Sequence, residues 1–376
     1  MGRGLWGAAC ARHLAAAGHR VTLVGPREPA LPFEEHDGVF AAHYDEGRIT
    51  RVMDADPVWS QLARASIRRY RAIEQESGVG FFTECGALMV GHANSPWVER
   101  VAGTAVDRNI ACTRLDGAGL RAAFPFLRFQ DDADGFHEPS GAGHVSPRRL
   151  VQAQTVCALQ RGAELVEAPA LRVGEDGDGV QVQTTTGTIR ADRAVVAAGA
   201  YAPHLVDGAP PLRVFARTVA FFALDDAEAA RLCAMPSIVW RIGRDDPYVL
   251  PPIRYPDGRW WLKIGGNPTD TLLDTARAIS DWFRSGGDDA VSDHLEALLM
   301  RLIPDLRFEE RAQRPCVTAF TASGHPHIAP HTARITLAYG GCGAGAKCSD
   351  EAGRIAARAV LGKPDARFAV PAAQAA

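Results

Sequence analysis

The chain opens on a glycine turn that runs straight into a helix and then a strand, and this order limits its fold more than any other feature. Gly2, Gly4 and Gly7 have the spacing G-x-G-x-x-G, the alanine-rich stretch A-A-C-A-R-H-L-A-A-A follows as a helix to Gly18, and R-V-T-L-V reads as a strand. Turn, helix and parallel strand make half of a dinucleotide-binding unit. The glycines permit a tight turn, close approach of a pyrophosphate and tight helix packing, and the helix N-terminus offers the phosphates free N–H groups. The spacing alone is weak, and its placement carries the inference. Leu5 and Trp6 lie on the same turn and join the three glycines as cofactor-binding candidates. Two features depart from the pattern. Met1 stands where the last apolar residue of a preceding strand belongs, so a first strand is expected to be missing at the N-terminus and the natural start to lie upstream. Gly25-Pro26 replaces the acidic residue that binds a ribose hydroxyl, which leaves Glu28, equally a solvated surface glutamate, as its nearest substitute.

Further along, Asp56-Pro57 predicts a cap and first turn for one long amphipathic helix to Ser77. Short strands are expected around Phe81–Phe82 and Ala87–Val90, and residues 92 to 145 carry few strong signals. Ser146-Pro147 starts a second helix that ends at Gly162 before the strand A-E-L-V-E-A. A small β-meander then leads to A-V-V-A-A-G, ending at Gly199. Residues 213 to 318 are richer in strand patterns, with one helical stretch between Thr271 and Phe283. The strand I-T-L-A-Y runs into G-G-C-G-A-G-A-K and a helix from about Asp350 to Leu361.

Composition removes several function classes. With 41 basic and 44 acidic residues and no basic run, the chain is not expected to bind nucleic acid. No stretch reaches the roughly 18 apolar residues of a membrane helix and no signal peptide is visible, so a cytoplasmic protein without membrane contact is expected. The eight cysteines lack C-x-x-C spacing and read as reduced thiols. His325, His327 and His331 have no cysteine or carboxylate nearby, and no metal is expected.

Four further motifs, in order along the chain, add to the glycine turn. These are H-Y-D-E-G-R-I-T-R, with His43, Tyr44, Arg48 and Arg51; Y-V-L-P at 248 to 251 with W-L-K-I-G at 261 to 265; T-A-S-G-H-P-H-I-A at 321 to 329; and G-G-C-G-A-G-A-K. Together they resemble the FAD-dependent D-amino acid oxidase superfamily, nearest its monomeric sarcosine oxidase-like branch. The resemblance implies an α/β fold in which a Rossmann-type FAD-binding domain (1–80, 146–212 and 315–376) is interleaved with a mixed β-sheet substrate domain (81–145 and 213–314). It also implies oxidation of the C–N bond of a small amine or amino acid to an imine, with dioxygen as acceptor and hydrogen peroxide as product. A dehydrogenase of the same fold, passing electrons to a quinone or carrier protein, and a non-catalytic flavin-binding protein are the alternatives.

Residue by residue, the resemblance assigns His43, Tyr44, Arg48, Leu171, Gly199, Ala200, Gly340, Gly341, Cys342, Gly343, Gly345 and Lys347 to FAD, alongside the glycine turn. Backbone N–H groups between 340 and 350 suit negative charge on the ring. Arg51 and Lys347 are implied to grip a substrate carboxylate, Tyr248 and Arg48 to face the flavin, and Lys263 to assist dioxygen. On residue type alone, Arg51 reads equally as a surface arginine, and Lys263, within W-W-L-K-I, as a buried charge with a purpose or an outward edge lysine. Asn267 replaces a histidine of the family, so the substrate pocket is expected to differ. Thr318 stands where the sarcosine oxidase branch attaches flavin through cysteine, and Cys316 is two residues too early. FAD is therefore expected to be non-covalent and to leave the polypeptide intact on treatment with acid or heat. Flavin fluorescence that migrates with the protein on a denaturing gel would contradict this.

Overall fold

The computed structural model describes residues 1–30, 33–266 and 268–368. Helix Leu5–Ala16 begins directly after the glycine turn, with Gly4 as its N-cap and no side-chain cap. The first N–H groups of the helix therefore remain unclaimed by a cap. Strand Thr22–Val24 pairs in parallel with Glu164–Val166, and Ala194–Val196 pairs in parallel with Ile335–Tyr339. Met1 and Gly2 run between the two pairs: Gly2 N donates to Val24 O at 2.8 Å, and Ala197 N donates to Met1 O at 2.8 Å. Gly2 has φ +98°, and a Cβ there would collide with Ala197 O; a Cβ on Gly7 would collide with Gly2 O. Only glycine fits either position.

Three helices pack around this layer. Buried alanines 8, 9, 11 and 15 of the first helix and 352, 356, 357 and 359 of the last, Ser349–Val360, bring the two close together. A buried carboxylate locks them. Asp350 has no exposed surface; its Oδ1 accepts from Arg12 Nη2 at 2.6 Å and Gln154 Nε2 at 2.9 Å, and lies 3.2 Å from His13 Nε2. Its Oδ2 accepts from Arg69 Nε. Arg12 and His13 belong to the first helix and Gln154 to Pro147–Gln160, so one side chain joins three helices.

The second body is an eight-stranded sheet in the order Glu310–Phe320, Arg213–Leu224, Trp260–Gly265, Tyr248–Arg254, Ser237–Trp240, Ala87–His92, Ala133–Glu138 and Thr113–Asp116. Only Ser237–Trp240 and Ala87–His92 pair in parallel. One face carries Leu88, Val90, Phe222, Leu262 and Ile264, packed with Leu295 and Leu299 of helix Asp289–Leu302. The alternation of strand side chains leaves Met89, Val239 and Tyr248, in register across the sheet, for the opposite face. No helix among the described residues is long and apolar enough to cross a membrane.

The α/β architecture and the three-stranded meander (Ala170–Asp176, Gly179–Thr184, Gly187–Ala191) agree with the sequence reading. Three local expectations need correction. The helix from 57 to 77 is two helices, Pro57–Ile67 and Tyr70–Ser77, because the chain turns at Arg68–Arg69 and sends Arg69 to Asp350 and Glu351. Residues 92 to 145 contain helices Pro96–Asp107 and Gly117–Ala123, capped by Ser95 and Asp116. Between 213 and 318, the expected helix is Ala276–Arg284, with Thr275 as its cap, and Asp226–Arg231 and Asp289–Leu302 are additional.

Burial alone would raise the pKa of Asp350, but His13, Arg12 and Arg69 outweigh it and hold the carboxyl far below its usual range. Its contribution to stability is thus complete above the unfolded value of about 3.9 and is lost as pH falls through the lower folded value. Asp350→Ala leaves several cations unpaired in the interior and should cost about 3–5 kcal/mol. Denaturant unfolding near neutral pH measures that loss.

Candidate active site

A single cavity of about 1450 Å³ runs between the glycine turn and the free face of the large sheet. Gly2, Gly4, Leu5 and Trp6 line it, together with Leu171, Gly199 and Ala200 from the meander and the loop that follows it. The C-terminal loop adds Gly340, Gly341, Cys342, Gly343, Gly345 and Lys347, and the segment before the large sheet adds His43, Tyr44, Arg48 and Arg51. Tyr248 enters from the sheet. Two of the expected site residues are not on the wall. Gly7 is packed under Gly2, and Lys263 lies one layer behind. Asn267 falls outside the described residues.

The halves of the wall come from opposite ends of the chain and are tied directly. Trp6 Nε1 donates to Gly345 O at 3.0 Å, and Cys342 N donates to Ala319 O at 3.0 Å. Gly340 and Gly343 take φ of +87° and +78°, which lets the loop fold back on itself. Tyr248 lies flat across Gly265, where any Cβ would meet its ring at 2.5 Å. Cys316 and Thr318 share the wall as alternate residues of one strand, and Arg48 Nη2 is 3.6 Å from Cys316 Sγ. Glu28 is held by Arg148 Nε at 2.8 and 2.9 Å and does not line the cavity.

These residues fit a bound dinucleotide. The collisions at Gly2 and Gly7 define a backbone turn that no side chain occupies, and the uncapped helix start behind it is an anion site. The volume exceeds the 300–1,000 Å³ or so of ordinary ligand pockets, which leaves room for a small substrate as well. Two buried polar atoms on residues of the wall, Thr318 Oγ1 and Arg51 Nε, have no partner among the described residues.

Two aspartates organise the charges. Asp45 receives Lys263 Nζ and Arg48 Nη1 on Oδ2 and the Tyr255 hydroxyl at 2.7 Å on Oδ1; Lys263 Nζ also donates to Gly47 O at 2.9 Å. Complete burial and Arg48 pull the Lys263 pKa well below the usual lysine value, and the Asp45 contact opposes them. Asp54 Oδ2 accepts from Lys347 Nζ and from Arg51 Nη1 at 3.1 Å. Burial would raise the pKa of Asp54, but Lys347 and Arg51 hold it at about 2. His43 is pushed down to about 3 by burial and by Arg148, Arg3 and Arg48, and Tyr248 is pushed up to about 12 by burial. Near neutral pH the imidazole is thus uncharged and the phenol protonated. The low value makes His43 a weak proton acceptor, and the protonated Tyr248 is not a base there.

Sequence reasoning missed Asp45 and Asp54, although each stands three residues from the arginine it pairs with. It also missed Trp97, Val239 and Met89 on the sheet side of the wall. The three histidines go to separate partners: His325 to Asp56 at 2.8 Å, His327 against the Tyr339 ring, and His331 to Asp207 O at 2.9 Å. No cluster of potential metal ligands occurs among the described residues.

Comparison with known proteins bears on the same geometry. Monomeric sarcosine oxidase of Streptomyces avermitilis is 29% identical over 96% of this chain and 92% of its own length. N-methyl-L-tryptophan oxidase of Escherichia coli K12 is 27% identical over 57% of this chain and 58% of its own. The solved structure of glycine oxidase from Geobacillus kaustophilus superposes with a TM-score of 0.76 at 20% identity, covering 98% of this chain and 96% of that one, and so shares the fold. The family described as FAD dependent oxidoreductase (DAO) matches residues 1–359. On that match, which takes in both the glycine turn and the C-terminal loop of the cavity wall, the chain belongs to the DAO family of FAD-dependent oxidoreductases.

Proposed function

We propose that this protein oxidises the C–N bond of a small amine or amino acid to an imine, with dioxygen as the acceptor and hydrogen peroxide as the product. The observation that carries the reading is the pair of cations, the buried Lys347 and the half-buried Arg51, on the wall of the same cavity as the dinucleotide cradle. A guanidinium and an ammonium together suit a carboxylate. The oxidases named above act, by their names, on sarcosine, N-methyl-L-tryptophan and glycine, all amino acids. FAD held in this cradle would supply the two-electron redox chemistry that C–N oxidation requires. The chain's own task is to place the carbon beside nitrogen. In this reading Arg51 and Lys347 fix the carboxylate, Tyr248 and Met89 bound the substrate on the sheet side, and Arg48 and His43 border the cofactor. Segments 1–80, 146–212 and 315–376 form the cofactor domain, segments 81–145 and 213–314 form the substrate domain, and the flavin is held without a covalent bond.

Lys263 serves dioxygen in this reading. It shares Asp45 with Arg48, so whenever Lys263 is protonated two cations face one carboxylate and one positive charge is in excess close to the cavity. Such a charge, fixed where water is scarce, stabilises a developing anion. A dehydrogenase is the second reading, favoured by the position of Lys263 behind the wall.

Anaerobic mixing with a panel of amines and amino acids tests the reaction: at least one should bleach the flavin absorbance, and air should restore it. Bleaching that only a quinone or carrier protein reverses would establish the dehydrogenase. In Lys263→Met, bleaching by substrate should keep its rate, while recovery in air should slow by at least ~100-fold. Recovery at the parent rate would make Lys263 a structural residue.

A further inference from the structure

The sheet side of the cavity carries cations that the proposed reaction does not use. Val239 and Met89, paired in register, face the cavity, while their neighbours Trp240 and Val90 lie in the core on the other face of the sheet. Alternation returns Arg241 and Gly91 to the cavity face, and Arg241 N donates to Val90 O at 2.8 Å, which holds the two side by side. A Cβ on Gly91 would press on the Trp97 ring at 3.1 Å, so the indole fills the place that a side chain there would take. The Arg241 guanidinium lies 5.4 Å from the centre of that ring. Arg100 follows Trp97 by three residues on helix Pro96–Asp107, which sets it on the same side of the helix. Trp97, Arg100 and Arg241 all line the cavity. Arg241 has Asp246 at 3.5 Å, Glu99 is turned to Arg114 at 3.5 Å, and the Arg100 side chain has no ion partner among the described residues.

We infer that Arg100 and Arg241 bind a second carboxylate, so that the substrate is an amino acid whose long side chain ends in an acid. The inference rests on the reading that Arg51 and Lys347 hold the first carboxylate. Val52 N and Met53 N, next to Arg51, donate to Glu138 at 3.1 and 2.9 Å, and Glu138 pairs with Ala87. Gly91 stands four residues further along the strand of Ala87, a distance of ~13 Å. Between these two points Met89 and Val239 present apolar surface to the cavity, which suits the methylene groups of a side chain. Charge decides which anion lies at the far end. Arg100 and Arg241 supply two positive charges and Asp246 one negative, so one positive charge is in excess. A carboxylate neutralises it, whereas a phosphate dianion would leave the group negative. The paired N–H donors of a guanidinium match the two oxygens of a carboxylate.

Inert two-ended probes separate charge from length. The linear dicarboxylates from butanedioate to decanedioate and their monoamides match in shape, differ in one charge, and carry no amine to be oxidised. Their dissociation constants are read from perturbation of the bound flavin spectrum, without turnover. Beyond the statistical advantage of two equivalent ends, a long dicarboxylate should bind at least ~5-fold more tightly than its monoamide, the upper contribution of one exposed ion pair. Butanedioate, too short to reach both groups, should show no such preference. In the double variant Arg100→Gln/Arg241→Gln the preference should vanish, through weaker binding of the long dicarboxylate. Binding of no probe, equal affinities at every length, an equal preference for butanedioate, or a preference that survives both substitutions would each overturn the inference. Both arginines are exposed, and the length dependence in the parent stands as a test even if the variant fails to fold. Arg51→Gln should weaken every probe, monoamides included; affinities that it leaves unmoved would instead sink the reading of Arg51 and Lys347 as the anchor. Failure of the amine panel to bleach the flavin, with the probe preference intact, would sink the proposed reaction alone.

Discussion

Asp350 sits in the first turn of the last helix with no exposed surface, and its contacts hold the first helix, the Pro147–Gln160 helix and Arg69 in one arrangement. A carboxylate in that position gains from the positive end of the helix as well as from its ion partners. The loop at 340 to 347 leads directly into this helix, and the glycine turn leads directly into the first. Fixing one helix against the other therefore fixes the two halves of the cradle, which the Trp6–Gly345 hydrogen bond then closes. The small residues along the helix contact make the approach possible; the carboxylate sets its register.

Asp45, behind the wall, and Asp54, on it, repeat one arrangement: a largely buried carboxylate with an arginine three residues away and a lysine brought from a distant segment. Burying two cations side by side costs several kcal/mol per ion unless each meets an opposite charge. With its lysine protonated, each group has one aspartate for two cations and so a residual positive charge. Placed beside a cavity, that charge is available to a ligand anion, and the aspartate keeps the cations in position in the meantime. Excess charge and preorganised geometry are thus obtained from the same three side chains.

The glycine turn, the helix starts at Asp56-Pro57 and Ser146-Pro147, and the meander were legible because each rests on local chemistry: a turn that needs glycine, a cap followed by proline, alternation between turns. The Ser95-Pro96 cap carries the same signal as Ser146-Pro147 and was readable; its weakly patterned surroundings hid it. The break at Arg68–Arg69 was not readable, since it depends on a carboxylate 281 residues further along the chain. The same holds for Lys263. Its strand marked it as a charge that is costly to bury, but Asp45, 218 residues earlier, decides that it faces inward and stops short of the cavity. Most of the residues named from the family resemblance line one cavity, whereas Asp54 was passed over, because the resemblance compared positions and not the charges between them.

The long ladder between Glu310–Phe320 and Arg213–Ala223 has a further consequence. Its strands carry Phe222 in the core of the large sheet and Val219, Cys316 and Thr318 on the cavity wall, and the Cys342–Ala319 hydrogen bond joins it to the cofactor loop. Both strands lie within the large sheet, so displacing that sheet from the parallel layer would leave the ladder intact and strain the Cys342–Ala319 bond. The exposed side chains at the edge of the cavity include Arg100 and Arg241. Rotations of such side chains take picoseconds to nanoseconds, whereas hinge motions take microseconds or longer. Rearrangement of those two side chains is therefore faster than any hinge motion of the framework would be.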